Sequence, residues 1–275
     1  MRKDLFLSSL FKRKKYHHFF SFHPVGDLHM LINNLHGDKF SCKYAIRPTT
    51  TYFNKENEFI KTEFLYYKTE REKEIYKKNI SSHIKLLPAG LIIAESKKQV
   101  KGTAILFVDT CTNAYLNSPI IRKKAIVDFL DFAKHTNSNI FFKFHPGLLP
   151  KFKAETVNLI SQYNLPKLKI VDQIPFEEIK ICLSFDSTVM FECIVKGIII
   201  TNLHGEYDMY PSVNPEFSDA SIPVIRNKNE FQQLHTFLVD ESSPENIGNL
   251  QKDWLESFYN FPVGMKTIIS KLSEK

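Results

Sequence analysis

No stretch of this 275-residue sequence approaches the roughly 18–20 consecutive apolar residues that a bilayer-spanning helix needs, and its apolar runs stop after a few residues, as at Ile198–Ile200. The N-terminus is charged and lacks the uninterrupted apolar segment of a secretory signal, so the expected location is the cytoplasm. Cysteine is scarce. Cys42, Cys111, Cys182 and Cys193 are scattered, with no C-x-x-C pair and no zinc-finger spacing; Cys182 and Cys193 lie in apolar surroundings and are expected to be buried reduced thiols. G-x-G-x-x-G, G-x-x-x-x-G-K-[ST], G-x-S-x-G and H-E-x-x-H are all missing, which removes the signatures of a dinucleotide fingerprint, a P-loop, a nucleophile elbow and a zinc peptidase. No D-x-D occurs either, so no bound metal is expected. No internal repeat is visible: the two Leu-His-Gly triplets, Leu35–Gly37 and Leu203–Gly205, read as coincidence.

What is present is the profile of a soluble globular protein, 43% hydrophobic and 24% charged. A net charge of +7 and a pI near 9.0 suit anionic partners. Nucleic acid as a partner would rest on that charge alone; the aromatics are mostly interleaved at core spacing and no recognised motif appears, so none is expected. Part of the excess charge is the run Lys12-Arg13-Lys14-Lys15, followed by Tyr16, His17, His18, Phe19 and Phe20. Such a cluster can rest on an anionic inner-membrane surface as a peripheral contact, and a solvated chain start is the plainer reading.

Two regions differ in pattern. Residues 1–100 are irregular: Lys43–Ile46 and Glu63–Tyr67 read as strands, Thr69–Lys78 as a short charged helix, and Leu86–Ile93 as an apolar stretch broken by Pro88 and Gly90. They do not read as repeated strand–helix units. Lys97–Thr103, ending near Gly102, reads as a linker. Residues 101–275 are regular. Strands are expected at Ala104–Val108, Asn139–Phe144, Lys169–Val171, Ile181–Ser184 and Gly197–Thr201. Helices are expected at Pro119–Lys134, where Ile126, Phe129, Leu130 and Ala133 share one face, and at Lys151–Tyr163, with Val157 and Ile160 on one side. Further helices are expected at Ser187–Lys196 (stopped by Gly197) and Asn229–Val239, with a helical tail near Trp254 and Met265–Leu272. Apolar strands alternating with amphipathic helices imply an α/β domain with a parallel, doubly wound, Rossmann-like sheet, whose ligands bind at the carboxyl ends of the strands.

Two of those ends carry chemistry. In Phe141-Phe142-Lys143-Phe144-His145-Pro146-Gly147, alternation puts Lys143 and His145 on one side of the strand, where both can meet one anion, while Pro146 and Gly147 turn the chain. A solvated lysine and a histidine packed on Phe142 or Phe144 fit the same pattern. In Leu183-Ser184-Phe185-Asp186-Ser187-Thr188, a strand passes through a polar turn into a helix, so Ser184, Ser187 and Thr188 lie near free backbone N–H groups that attract anions. Glu192 shares a helix face with Thr188. A plain N-cap fits these residues too; the combination with Lys143 and His145 favours a phosphate site.

Lys143-Phe144-His145-Pro146 resembles the K-x-H-P element of bacterial GT-B-type transferases that build surface polysaccharides, and Ser184 to Glu192 followed by Gly197 resembles their S-x-x-S-T-x-x-x-E…G element. The group includes capsule and lipopolysaccharide sialyltransferases, Kdo transferases and CDP-glycerol glycerophosphotransferases. The resemblance covers roughly residues 60–240. It implies a GT-B-like α/β fold with a Rossmann-like C-terminal domain at 101–275 that binds the donor; the acceptor-side region at 1–100 reads as short or reduced, a departure from the complete N-terminal Rossmann domain of such enzymes. It implies that His145, Ser187 and Thr188 hold donor phosphate and that Glu192 approaches the ribose. Asn34 to Asp38 is similar to a His-Gly element that supplies a catalytic base, making His36 the candidate, with Asp38 and Asp27 as rivals. The implied activity is inverting, metal-independent glycosyl transfer without a cofactor. The donor would be cytidine-activated, a CMP-sugar such as CMP-sialic acid or a CDP-alditol, and the acceptor a glycan or lipid-linked precursor. The short N-terminal region leaves a second expectation: a non-catalytic or partner-dependent half that binds nucleotide.

Overall fold

The structure is a computed structural model and describes residues 20–21, 42–46, 62–67, 70–79, 82, 84–88, 102–110, 118–185, 187, 189–208, 222–239 and 242–259. The chain divides into two compact units, Met1–Ile92 with Glu256–Lys275, and Ile93–Leu255.

In the first unit, β1 (Phe20–Ser21), β2 (Cys42–Ile46), β3 (Thr62–Tyr67) and β4 (Lys85–Pro88) form a sheet in that order, every pair parallel. Helix α1 (Glu70–Asn79) is the crossover from β3 to β4, and its Tyr76 is fully buried, as is Leu65 of β3. The expected strands and helix are thus present, and the described residues of this region, read from sequence as irregular, are four parallel strands with one crossover helix. Half of β4 is polar or proline and α1 is almost entirely charged, which hides the pattern.

The second unit is built on a six-stranded, all-parallel sheet. Its strands are β5 (Ala104–Val108), β6 (Ile140–Lys143), β7 (Leu168–Ile170), β8 (Ile179–Ser184), β9 (Ile199–Leu203) and β10 (Val224–Ile225). Their spatial order is β10-β9-β8-β5-β6-β7. The chain starts at the centre with β5, works outward through β6 and β7, then returns to β8 on the other side of β5 and works outward again. This is the doubly wound order, and its switch point lies between β5 and β8. All five residues of β5 and of β9 are buried, as expected for strands covered on both faces.

Helix α2 (Ser118–Ala133) follows β5, with proline in its first turn, and buries Ile126, Phe129, Leu130 and Ala133 as their spacing predicts. Phe129 meets Phe107 of β5 at 4.7 Å between ring centroids, and Phe107 stacks on Phe142 of β6 at 5.1 Å. Helix α3 (Pro150–Tyr163) differs from expectation. Ile160 is buried, but Val157 is 39% exposed, and the inner position is taken by Thr156 at 3%. The hydroxyl of Thr156 donates to Phe152 O and accepts from Arg122, so a polar side chain is satisfied inside. Helix α4 (Val189–Val195) starts later than its first polar residues suggest. It ends at Gly197, whose φ of 76° lets the Ile198 N–H reach back to Cys193 O and its own N–H to Ile194 O.

The segment expected to be one helix from Asn229 begins as a 3-10 turn, Lys228–Gln232, before α5 (Gln233–Val239). Helix α6 (Ser242–Tyr259) contains Trp254, which stacks on Phe191 of α4. Its Gln251 exchanges two 2.9 Å hydrogen bonds with the backbone of Ile200. Met265–Leu272 lies outside the described residues. Cys182 and Cys193 are buried and free, and burial pushes the Cys193 thiol up. Among the described residues no helix is long and apolar enough to cross a membrane.

Candidate functional site

The carboxyl ends of the central strands are brought into one row by register. Val108 of β5 pairs with Lys143 of β6 on one side and with Ser184 of β8 on the other, and Ser184 pairs with Asn202 of β9. With strands about 4.8 Å apart, Lys143 and Ser184 stand roughly 10 Å apart across the switch point. The two motifs singled out in the sequence therefore flank one strand end.

On the β6 side, Lys143 and His145 are both half-buried, and Pro146 and Gly147 are exposed in the turn that follows. The Gly147 N–H donates to Nδ1 of His145 at 3.0 Å. That bond assigns the proton of the neutral imidazole to Nε2, making His145 a directed donor. Burial lowers the His145 pKa below its ordinary value; Lys143 lowers it further and the carboxylate of Asp109 opposes the shift. Neutral-donor histidine beside a lysine is a combination suited to phosphate oxygens.

On the β8 side, Ser184 is fully buried and its hydroxyl donates to Val108 O at 3.1 Å. Ser187 accepts from the Val189 N–H at 3.4 Å through its hydroxyl, and its carbonyl accepts from Met190 N at 3.0 Å, the geometry of a helix start. Glu192 is exposed on α4. Thr188 and Asp186 lie outside the described residues, as do His36, Asp38 and Asp27.

Sequence reasoning missed the residues behind this row. Asp109, the residue after β5, is fully buried; its carboxylate accepts from Thr110 N at 2.8 Å and from Arg122 Nε and Nη2 at 2.7 and 2.5 Å. Arg122 Nη2 also donates to Thr156 Oγ1 at 2.8 Å, tying α2 to α3. Burial pushes the Asp109 carboxyl up, and the guanidinium on both of its oxygens pulls it back. The signal was a charged residue directly after an apolar strand, with an arginine one helical turn before Ile126 on the inner face of α2. At the end of β9, Asn202 Nδ2 meets His204 Nε2 at 2.7 Å and His204 Nδ1 meets Asp208 at 2.9 Å, so both ring nitrogens brace the turn at Gly205–Tyr207. The grooves seen among the described residues lie elsewhere. One of about 280 Å³ runs between α2 and α3, floored by Ile126, Phe152 and Leu159, and does not include Lys143 or His145.

No protein-family model matches the chain, and no curated protein matches it. Solved structures do. A glycosyltransferase from Rickettsia africae ESF-5 matches with a TM-score of 0.61 at 9% identity, over 99% of this chain and 80% of that one. The UDP-GlcNAc 2-epimerase of Methanocaldococcus jannaschii, solved with UDP-GlcNAc and UDP, matches at 0.58 and 12% identity, over 90% and 79%. A structure of accessory secretory proteins 1, 2 and 3 of Streptococcus pneumoniae matches at 0.56 and 12% identity; it covers 98% of this chain, which spans only 55% of that one. A transferase and an epimerase on one scaffold show that the likeness carries architecture and not reaction. By architecture, this chain is a GT-B-like α/β protein whose Rossmann-like C-terminal region carries the Lys143–His145 strand end on β6, next to the central strand β5.

Proposed function

We propose that this chain binds the phosphates of a nucleotide-activated sugar at Lys143 and His145 and transfers the sugar to a glycan or lipid-linked acceptor. The observation that carries the reading is the Gly147 N–H on Nδ1 of His145, which presets an Nε2–H donor near Lys143 at the strand end beside β5. Attack of an acceptor hydroxyl on the anomeric carbon breaks the bond from that carbon to phosphate oxygen, and the nucleotide leaves with the electron pair. Lys143 and His145 stabilise the charge that grows on the leaving phosphate. The hydroxyl proton passes to His36, Asp38 or Asp27 as base. The reaction inverts the anomeric centre and uses no metal. Ser187 and Thr188 would add contacts to the phosphate, and Glu192 would meet the ribose. The basic run Lys12–Lys15 would hold the enzyme at the inner membrane surface near its acceptor.

The motifs favour a CMP-sugar, or a CDP-alditol, for which the acceptor oxygen would instead bond to the alditol's phosphorus as the phosphoanhydride breaks and CMP leaves, whereas the M. jannaschii neighbour binds uridine nucleotides, so both bases belong in the first experiment. Thermal unfolding is measured with UDP, CMP, CDP and GDP for the chain and for His145→Ala. A ligand at about 100 times its Kd adds about 2.7 kcal/mol to the native state. A stabilisation that His145→Ala abolishes supports the reading and names the base; no stabilisation by any nucleotide overturns it. Transfer that persists in EDTA supports the metal-free step.

A second reading is a partner-dependent or non-catalytic half. It draws on the S. pneumoniae neighbour, a structure of accessory secretory proteins 1, 2 and 3 together. Donor turnover by the isolated chain would exclude it.

A further inference from the structure

We infer that Asp109 is a positioning residue for the Lys143–His145 strand end, clamped by Arg122 so that it fixes Lys143 through the backbone and lends His145 a nearby negative charge. The inference rests on the phosphate-binding reading of that strand end and names a residue the reading did not contain.

The geometry is a chain of short contacts. The backbone N–H of Asp109 donates to Lys143 O at 2.9 Å, one step beyond the last register pair of β5 and β6. The same residue's carboxylate is held by Arg122 through two bonds and by the Thr110 N–H, and Arg122 reaches on to Thr156 of α3. Asp109 is completely buried and Arg122 is 3% exposed, so the clamp is desolvated and cannot slide as a surface pair would. Three elements, α2, α3 and β5, therefore converge on Asp109, whose N–H holds the carbonyl of Lys143.

The charge has a second consequence. Among the described residues, the charged groups that act on His145 are Asp109 and Lys143, with opposite signs. Arg122 approaches the carboxylate from α2 and offsets part of its charge. Without it, a second cation beside Lys143 would have nothing to offset it, and the imidazolium would form only at lower pH.

The test reads His145 in the ligand-free chain, so it is independent of whether nucleotide binds. The imidazole titration is followed by NMR, with the His145 signal identified by its loss in His145→Gln. Asp109→Asn is expected to move the His145 midpoint to lower pH and to speed exchange of the Asp109 amide with solvent. Asp109→Asn leaves Arg122 as a lone buried charge that adds to the displacement, so the paired variant Asp109→Asn with Arg122→Gln, which leaves none, is measured as well and should show a smaller displacement in the same direction. An unchanged midpoint in the folded paired variant overturns the inference, because a purely structural clamp would alter stability and not the titration. If the midpoint moves while nucleotides still fail to stabilise the native chain, the positioning stands and the phosphate reading falls.

Discussion

The hydroxyl of Ser184 donates to the carbonyl of Val108, 3.1 Å away, across the seam where the two halves of the six-stranded sheet meet. This bond gives the serine a structural task that its place in the motif did not announce. Ser184→Ala is expected to cost about 1 kcal/mol in chemical denaturation, the net worth of one buried hydrogen bond. Nucleotide affinity should change less than that; a larger loss of affinity than of stability would put the hydroxyl on the ligand instead.

Arg122→Ala would leave Asp109 a buried carboxylate supported only by Thr110. Breaking a buried pair in this way costs about 3–5 kcal/mol, against a much smaller cost for replacing both partners with apolar residues of similar volume. The pH dependence has a definite sign. Burial raises the Asp109 carboxyl in the native chain, more so once the guanidinium is gone, so the folded form holds its proton more tightly than the unfolded one. The defect in Arg122→Ala should therefore shrink as pH falls and grow as pH rises through the native value. A pH-independent defect would contradict this.

His145 titrates in the opposite sense. Its native pKa lies below the ordinary 6.5, chiefly through burial, so the unfolded chain binds the proton more readily. The stability associated with neutral His145 is present above 6.5 and is lost as pH falls through the native value. Denaturation midpoints of His145→Gln should show a flatter profile in that acid window than those of the parent chain.

Gly102, expected only to end a linker, approaches the β8 side of the sheet closely. A Cβ built there would stand 2.3 Å from the carbonyl carbon and oxygen of Glu178, both backbone atoms that cannot rotate away. Gly102→Ala should lower the unfolding temperature and disturb the Thr103 N–H to Glu178 O bond of 3.0 Å, visible as faster amide exchange at Thr103. Normal exchange at that amide would show that the neighbour yields.

How legible these features were follows from their chemistry. Ala104–Val108 was readable to the residue because a strand covered on both faces is apolar throughout. The inner face of α2 was readable because four apolar residues repeat at helical spacing. Val157 was misplaced because the residue that turns inward on α3 is Thr156, whose hydroxyl finds partners that only the fold supplies. Val224–Ile225 is two residues long, too short for any period to show. Lys143 and His145 could be placed together from alternation alone, but the clamp behind them could not. Asp109 and Arg122 are 13 residues apart, and nothing in either residue type announces the other.

The seam at β5 and β8 also sets a timetable. The partner that completes the inner edge of β5 follows it by 76 residues, counted from Val108 to Ser184. At synthesis rates of about 5–20 residues per second, that edge waits roughly 4–15 s on the ribosome with its backbone groups unpaired. β5 is entirely apolar, and an apolar strand with an open edge is a template for other chains. Overproduction should therefore yield aggregates seeded by Ala104–Val108, fewer of them when translation is slowed or when a chaperone covers the nascent half-sheet.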